Sequence, residues 1–242
     1  MKTSETCDYC GKFASSPYSF RHEDVWYSGH KRCMGAPMIR KLTQVTAKST
    51  PNIALTGLMR SGKDALADYL TQNYGYTRFA FGDELKRYTH ELFGEPDGKP
   101  RELYQWFGQT MRERDPDIWT RKCFEDIMES YEMVARKVYA GGVFHPPFRA
   151  VISDLRHPNE YDRCRSESYV IIRVTAPESV RIDRAVKSSD TFNLRDLTHD
   201  TESHVEGFEV DYEVVNDGTL AELYAQIDVI MTQLTTEGVT AE

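Results

Sequence analysis

Residues 53–70 read IALTGLMRSGKDALADYL and change character twice within this single stretch. The stretch opens with a short apolar run, which is typical of a buried strand. It then passes through a loop bounded by Gly57 and Gly62, and from Asp64 onward its apolar residues are spaced as in an amphipathic helix. A strand that turns through glycines into a helix begins a βα unit, so the stretch predicts a parallel sheet covered by helices.

The loop contains the pattern G-x-x-x-x-G-K, ending at Lys63. Glycines let backbone N–H groups curl around phosphate oxygens, and the helix N-terminus adds partial positive charge. A lysine at this position reaches the outer phosphates of a nucleotide. Asp64 replaces the usual Ser or Thr, and its carboxylate would hold Mg²⁺ directly or through water. The predicted ligands are ATP and Mg²⁺, contacted by Gly57, Arg60, Ser61, Gly62, Lys63 and Asp64.

Downstream of the loop, short apolar runs alternate with helical patterns. Strands are predicted at 76–81, 150–154 and 169–174, with a short apolar run at 214–215, and helices at about 83–92, 101–139, 177–187 and 219–234. Asp83 is placed to cap the first of these helices, and Pro116 to interrupt the second. The alternation favours an α/β fold in three layers, with a central parallel sheet between helices.

Polar residues suited to phosphoryl transfer follow the predicted strands. Asp154 ends a strand, where a carboxylate would face a metal ion beside the loop, and Arg156 follows it. Arg181 and Arg184 share one face of a helix that leads into a polar segment, 188–204, a candidate mobile lid. The alternatives are an Asp that only caps the next turn and arginines that are solvated surface residues. The candidate catalytic residues are Lys63, Asp64, Asp154, Arg156, Arg181 and Arg184.

The N-terminal region carries a different signal. Cys7 and Cys10 form one close pair and His30 and Cys33 another, the spacing by which a tetrahedral Cys₃His zinc site clasps a short ribbon or hairpin. Four protein ligands leave no open position, so the zinc would be structural. His22 is a substitute ligand with less suitable spacing, and two unrelated pairs of residues are the alternative to a zinc site. The predicted organisation is a zinc-binding module at 1–45, a linker at 46–51 and a P-loop domain at 52–242.

The N-terminal part and the rest of the chain also differ in net charge. Residues 1–50 hold eight Lys+Arg and four Asp+Glu, a net of +4, so the remaining 22 and 34 of the 30 and 38 give residues 51–242 a net of −12. The acidic part argues against a protein whose whole surface binds nucleic acid, because phosphate neutralisation needs a basic face. Three bound thiolates and one Zn²⁺ would leave the N-terminal part at about +3, which permits a nucleic-acid or protein contact.

Five further segments accompany the GKD loop. They are FAFGDELK at 79–86, RELYQWFG at 101–108, MRERDPDIW at 111–119, VISDLRHPNE at 151–160 and NDGTLAEL at 216–223. Together, in uninterrupted order over about residues 52–232, these motifs resemble the phage deoxynucleoside monophosphate kinase family. The resemblance implies a nucleoside monophosphate kinase fold with a helical monophosphate-binding insert and a small lid. It also implies ATP-dependent conversion of a deoxynucleoside monophosphate (dNMP) into the diphosphate.

The resemblance also implies roles for single residues. Arg156 would contact phosphate, and Asn216 and Gly218 would lie in the loop that passes the adenine of ATP. The residues implied on the acceptor side are Asp83, Lys86, Trp106, Arg112 and Trp119. For the two tryptophans, a place in the core of the helical insert is the alternative.

Three functions remain open from the sequence, and the dNMP kinase is favoured. A kinase for a modified base in DNA would suit the fused zinc module but would need a basic groove in the acidic part. An ATP-sensing binding protein would leave the additional arginines without a role. A dephospho-coenzyme A kinase shares the loop and the late NDG motif but not the middle segments.

The sequence also bears on location and partners. It has no apolar run of about 18 residues and no secretory signal, which predicts a cytoplasmic protein, in the host cytoplasm if phage-encoded, without a membrane partner. A homodimer is one expectation for the assembly.

Overall fold

The computed structural model describes residues 7, 12, 18–22, 25–29, 50–96, 98, 100–141, 148–187 and 204–237. The chain divides into two compact units, one of residues 1–49 with 128–148 and one of 50–127 with 149–242. In the first unit, β1 (Tyr18–His22) and β2 (Val25–Gly29) form an antiparallel hairpin in which Tyr18 lies opposite Gly29. The predicted linker up to residue 49 and most of the predicted lid, 188–203, lie outside the described residues.

The second unit is built on a five-stranded parallel sheet. Its strands are β3 (Ile53–Thr56), β4 (Thr77–Phe79), β5 (Ala150–Leu155), β6 (Val170–Thr175) and β7 (Tyr212–Val215), in the order β4-β5-β3-β6-β7. The central strand β3 is fully buried, as expected of a parallel strand with both faces covered. Because the strands are parallel, the loops after them emerge at one edge of the sheet, where ligands bind in folds of this class.

Seven helices of the described chain connect or cover these strands. They are α1 (Lys63–Tyr74), α2 (Phe81–Phe93), α3 (Arg101–Arg114), α4 (Ile118–Gly141), α5 (Pro158–Ser166), α6 (Glu178–Lys187) and α7 (Leu220–Glu237), with a 3₁₀ turn at Val205–Gly207. Helices α2, α3 and α4 all lie between β4 and β5 in the chain, so they form a helical insertion. In the described part of the chain, no helix combines the length and apolar character needed to span a bilayer.

Among the described residues of the second unit, two apolar clusters contribute to stability. The larger one includes β3, α1 and α7, with side chains such as Leu66, Leu70 and Ile227 fully buried. The smaller one lies in the insertion and joins Leu85 to Phe107 and Trp119. Burying one such side chain contributes roughly 1.5–3 kcal/mol, so these clusters hold α1 against the sheet and the insertion together.

The predicted elements are confirmed within about three residues, except that the strand predicted at 76–81 ends at Phe79 and the helix after it starts at Phe81. The sequence places Asp83 at the N-cap of the first insertion helix, but α2 begins at Phe81 and Ala80 is its N-cap. Asp83 therefore lies in the first turn of the helix. The capping oxygen comes instead from Asp154, whose carboxylate accepts hydrogen bonds from the N–H groups of Phe81 and Gly82.

Candidate nucleotide-binding site

The loop between β3 and α1 forms a cradle that requires glycine at two positions. Gly57 has a φ of 138° and Gly62 a φ of 110°, conformations that other residues rarely adopt. A Cβ on Gly57 would lie 2.2 Å from the carbonyl oxygen of Val174, and one on Gly62 would lie 2.1 Å from Nδ2 of Asn216. The two glycines therefore permit the tight backbone course that a phosphate-binding loop needs.

The predicted phosphate-binding lysine is folded onto this loop. Lys63 is buried, and its Nζ donates to the carbonyl oxygens of Gly57 at 2.6 Å and of Leu58 at 3.0 Å. A buried ammonium group needs hydrogen-bond acceptors around it. The loop carbonyls thus hold the cation at the cradle, where it can exchange them for phosphate oxygens with full negative charge.

Ser61 provides a further sign that the cradle suits a ligand. Its hydroxyl is buried, and no hydrogen-bond partner for it occurs among the described residues. A Cβ on Gly57 would lie 3.0 Å from this hydroxyl oxygen, so the group lies beside the start of the loop. A buried polar group without a partner costs about 1–3 kcal/mol, which a bound phosphate oxygen would offset. The loop residues therefore fit the phosphates of ATP.

Both predicted arginines of α6 reach the P-loop backbone. Arg184 donates through Nη1 to the carbonyl oxygens of Arg60 at 3.3 Å and of Ser61 at 3.4 Å. Arg181 donates to the carbonyl oxygen of Met59 at 3.4 Å, and its buried Nε has no partner in the described part of the chain. The structure thus brings two guanidinium groups to the loop, and Arg181 retains a donor for an anion.

Asn216, predicted near the adenine, also contacts the loop. It is buried, its Nδ2 donates to the carbonyl oxygen of Ser61 at 2.7 Å, and its Oδ1 accepts from Nη2 of Arg184 at 2.9 Å. Gly218 lies two residues on, in an exposed turn, where Thr219 N donates to the side chain of Glu222 at 2.7 Å. Asn216 therefore supports the phosphate loop, whereas Gly218 lies at the surface before α7.

Asp64 is paired with an arginine that the sequence did not single out. The Asp64 side chain is 80% exposed, and Oδ1 forms an ion pair with Nη2 of Arg78 on β4. Arg78 also donates through Nη1 to Asp68 at 2.9 Å and through Nε to Oγ of Ser153 at 3.2 Å. A carboxylate is a hard oxygen ligand, so Asp64 suits Mg²⁺ by its chemistry. Here, however, its partner is a guanidinium group.

Asp154 lies on β5, one residue before its end, and contacts the start of the insertion. Its carboxylate oxygens accept from Phe81 N at 2.7 Å and from Gly82 N at 3.1 Å, where the helix macrodipole favours negative charge. Burial raises the pKa of this carboxyl, while the two N–H groups act in the opposite direction. Within the described ranges, no three His, Cys, Asp or Glu side chains are grouped to hold a metal ion. Mg²⁺ in nucleotide enzymes commonly uses one or two carboxylates together with phosphate oxygens, which is compatible with this arrangement.

A buried carboxylate near Asp154 was missed by the sequence prediction. Oε2 of Glu160 accepts from the N–H groups of Arg156 at 2.9 Å and His157 at 3.0 Å, which fixes the turn that carries Arg156. Burial raises the pKa of Glu160 to about 8, and the charge of Asp154 adds to this shift. Burial lowers the pKa of Arg112, although both carboxylates act to raise it. Arg112 therefore lies within electrostatic reach of Asp154 and Glu160.

The remaining acceptor-side residues differ widely in exposure. Asp83 and Lys86 lie on α2 and form an exposed ion pair at 3.0 Å. Trp106 is 56% exposed, so its indole can meet a ligand. Trp119 is only 2% exposed and donates Nε1–H to the carbonyl oxygen of Gly108 at 3.1 Å, which makes it a core residue of the insertion. Trp119 can thus shape a pocket only through the residues that cover it.

The predicted zinc ligands are only partly described. Cys7 is buried, and its N–H donates to the carbonyl oxygen of Lys12 at 2.9 Å. Cys10, His30 and Cys33 lie outside the described residues. The β1–β2 hairpin occupies the chain between the two predicted ligand pairs, as the spacing suggested, and the ligand set itself remains a prediction.

No protein-family model matches the chain. A protein of Acanthamoeba polyphaga mimivirus, provisionally named a deoxynucleotide monophosphate kinase, is 29% identical over 193 residues, which cover 72% of this chain and 93% of that protein.

Solved structures with a similar fold include a sugar kinase from Janibacter sp. (16% identity, TM-score 0.45, 78% of this chain and 98% of that one). A gluconokinase from Sinorhizobium meliloti has 15% identity and a TM-score of 0.43, with 78% and 95% covered. A shikimate kinase from Acinetobacter baumannii has 13% identity and a TM-score of 0.45, with 79% and 98% covered.

Proposed function

We propose that this protein transfers the γ-phosphoryl group of ATP to a dNMP, forming ADP and a deoxynucleoside diphosphate. The proposal is carried by the cradle at 57–62, beside which lie the Lys63 ammonium group, held by loop carbonyls, and the buried hydroxyl of Ser61. The choice of acceptor is supported by the mimivirus protein, which matches over 93% of its own length.

The donor site would use groups that already surround the loop. Lys63 and the loop backbone would hold the β- and γ-phosphates, and Arg181 and Arg184 would offset the negative charge that develops during transfer. Mg²⁺, when bound with ATP, neutralises phosphate charge, and Asp64 would hold it directly or through water. Asp154 would act mainly by holding the first turn of α2, because its carboxylate accepts two N–H groups there.

The acceptor site would lie at the helical insertion. Arg156 and Arg112 would bind the acceptor phosphate, with Asp83 and Lys86 at the edge and Trp106 available to the base. A phosphate monoester is already anionic at neutral pH, so the acceptor needs no general base. The net −12 of residues 51–242 weighs against DNA as the acceptor.

The test is an ADP-release assay with ATP and Mg²⁺ against dNMPs, NMPs and modified dNMPs, with duplex and single-stranded DNA as further acceptors. Turnover on one or more free dNMPs is expected. Phosphorylation of DNA alone would replace the proposal with the DNA-modifying alternative. Tight ATP binding with no turnover on any acceptor would favour an ATP sensor.

We also propose a structural zinc ion held by Cys7, Cys10, His30 and Cys33. A region of this size with few aliphatic residues gains much of its folding free energy from a metal when it has one. Metal analysis of the purified protein should give about one zinc per chain, and Cys33→Ser should lose it. Zinc-free protein with unchanged thermal stability would contradict the assignment.

A further inference from the structure

Arg78 links the end of the phosphate loop to the sheet. Its Nη2 is paired with Asp64, its Nη1 donates to Asp68 at 2.9 Å, and its Nε donates to Oγ of Ser153 at 3.2 Å. Asp64 and Asp68 lie one helical turn apart on α1, so one guanidinium group spans both carboxylates. Asp64 occupies the position at which P-loops normally place the hydroxyl that binds Mg²⁺.

The Arg78–Asp64 contact can be exchanged at low cost. The Asp64 side chain is 80% exposed and that of Arg78 is 35% exposed, and ion pairs at such positions contribute little to stability. A free divalent cation would find two exposed carboxylates, Asp64 and Asp68, that already share a cationic partner. A cation bound to a nucleotide would bring phosphate oxygens as additional ligands, which is how Mg²⁺ is usually held.

We propose that Arg78 is a positioning residue that keeps Asp64 from binding a divalent cation until nucleotide delivers that cation to the loop. In the exchange, the cation takes the Asp64 carboxylate from Nη2 of Arg78. The guanidinium keeps its bonds to Asp68 and Ser153, so it stays beside the loop as a second positive charge. The inference rests on the proposed function only in that a cation arrives with nucleotide.

The first measurement uses Mn²⁺ without nucleotide, with free Mn²⁺ followed by electron paramagnetic resonance. Arg78→Gln should bind Mn²⁺ about tenfold more tightly than the unmodified protein, because it removes the competing charge and leaves two carboxylates one turn apart. Adding Asp64→Asn to Arg78→Gln should abolish the gain. Arg78→Lys keeps the charge and should bind Mn²⁺ much as the unmodified protein does, which provides a second variant if Arg78→Gln folds poorly.

Arg163→Gln is the matched control. Arg163 on α5 pairs at 2.7 Å with Glu167, the residue after this helix, and both side chains are about half exposed. Its replacement by Gln changes the net charge by the same amount. Equal Mn²⁺ affinity in the Arg163→Gln and Arg78→Gln proteins would overturn the proposal. So would a gain that survives Asp64→Asn. Because this comparison uses no nucleotide, it decides the proposal even if the protein proves not to be a kinase.

A second measurement repeats the titration with saturating ADP. Here the advantage of Arg78→Gln should shrink to about twofold or less, since phosphate oxygens then help the cation to displace the guanidinium group. An undiminished tenfold difference would mean that Arg78 stays on Asp64 when nucleotide binds, which would contradict the exchange.

Discussion

Lys63 Nζ and the carbonyl oxygen of Gly57 lie 2.6 Å apart, so the ammonium group that should meet ATP is bound by the first residue of its own loop. The lysine is thus oriented before any nucleotide binds. Little side-chain ordering then remains for the binding step, and this favours affinity.

Replacing Lys63 should separate activity from folding. Lys63→Ala is expected to lower kcat by about two to four orders of magnitude, because the charge on the transferring phosphoryl group loses its nearest cation. The loss of two hydrogen bonds to the carbonyls of buried Gly57 and half-buried Leu58 should lower the melting temperature by several degrees and leave the fold intact. ADP release and thermal unfolding measured on the same sample test both parts. Unchanged turnover would rule out this loop as the ATP site.

Substitutions at Gly62 and Gly75 can be compared to test whether the shape of the loop is needed for ATP binding. Both have positive φ, but a Cβ on Gly62 would meet Asn216 at 2.1 Å, whereas one on Gly75 would meet nothing within 4 Å. Gly75→Ala should cost about 1 kcal/mol from backbone strain alone. Gly62→Ala should cost more and should also abolish ATP binding, as measured by isothermal titration. Equal losses of ATP affinity would show that strain, and not the shape of the loop, is what matters.

Asn216→Ala should destabilise the conformation of the phosphate loop, although Asn216 itself is not part of the loop. Asn216 is buried and bonds Ser61 and Arg184, so its removal leaves a carbonyl and a guanidinium short of partners, at about 1–3 kcal/mol. Asn73→Ala is the control, because Asn73 is exposed and its amide donates to the carbonyl oxygen of Tyr69 at 3.0 Å, within its own helix. The KM for ATP should rise in Asn216→Ala and stay constant in the control. An unchanged KM for ATP in both proteins would remove Asn216 from the support of the loop.

Glu160 should make stability depend on pH. Its folded-state pKa of about 8 lies above the unfolded value near 4.5, so the folded protein binds the extra proton between these values. Stability should therefore fall as pH rises through this window. Glu160→Gln keeps an oxygen acceptor for the N–H groups of Arg156 and His157 but cannot ionise. Relative to this variant, the unmodified protein should lose about 2–4 kcal/mol between pH 5 and pH 8.5 in denaturant titrations. Parallel pH profiles for the two proteins would mean that Glu160 does not titrate in this range.

Local patterns were enough to predict the elements around the loop. The apolar run before Gly57, the glycines and the helical spacing after Lys63 each depend on near neighbours in the chain, and the strands and helices follow them within a few residues. Glu160 could also have been found from the sequence. Pro158 at the first helical position with Glu160 two residues later is a recognisable helix start.

Contacts between distant segments were not predictable in this way. Asp83 is a residue type that often caps helices, but the N–H groups at the start of α2 are bound by Asp154, more than 70 residues further along the chain. No residue near Asp64 in the sequence indicates that Arg78, on the strand that follows α1 in the chain, would form an ion pair with it. The spacing of apolar residues predicts which face of a helix or strand a residue lies on. Which residue of another element it contacts there depends on the order of the strands in the sheet.

Helix α1 is fastened at both ends to the same stretch of chain. Near its start, Ser61 accepts from Asn216, and near its end the hydroxyls of Tyr69 and Tyr74 donate to Asp228 at 2.9 and 2.7 Å. These two attachments restrain α1 from sliding along the sheet and from rotating about one end. They therefore also hold the phosphate loop, which directly precedes α1, in place. Movements that adjust the protein to its substrates are then expected in elements that are not attached at both ends. Such elements would close toward the phosphate loop, which itself stays in place.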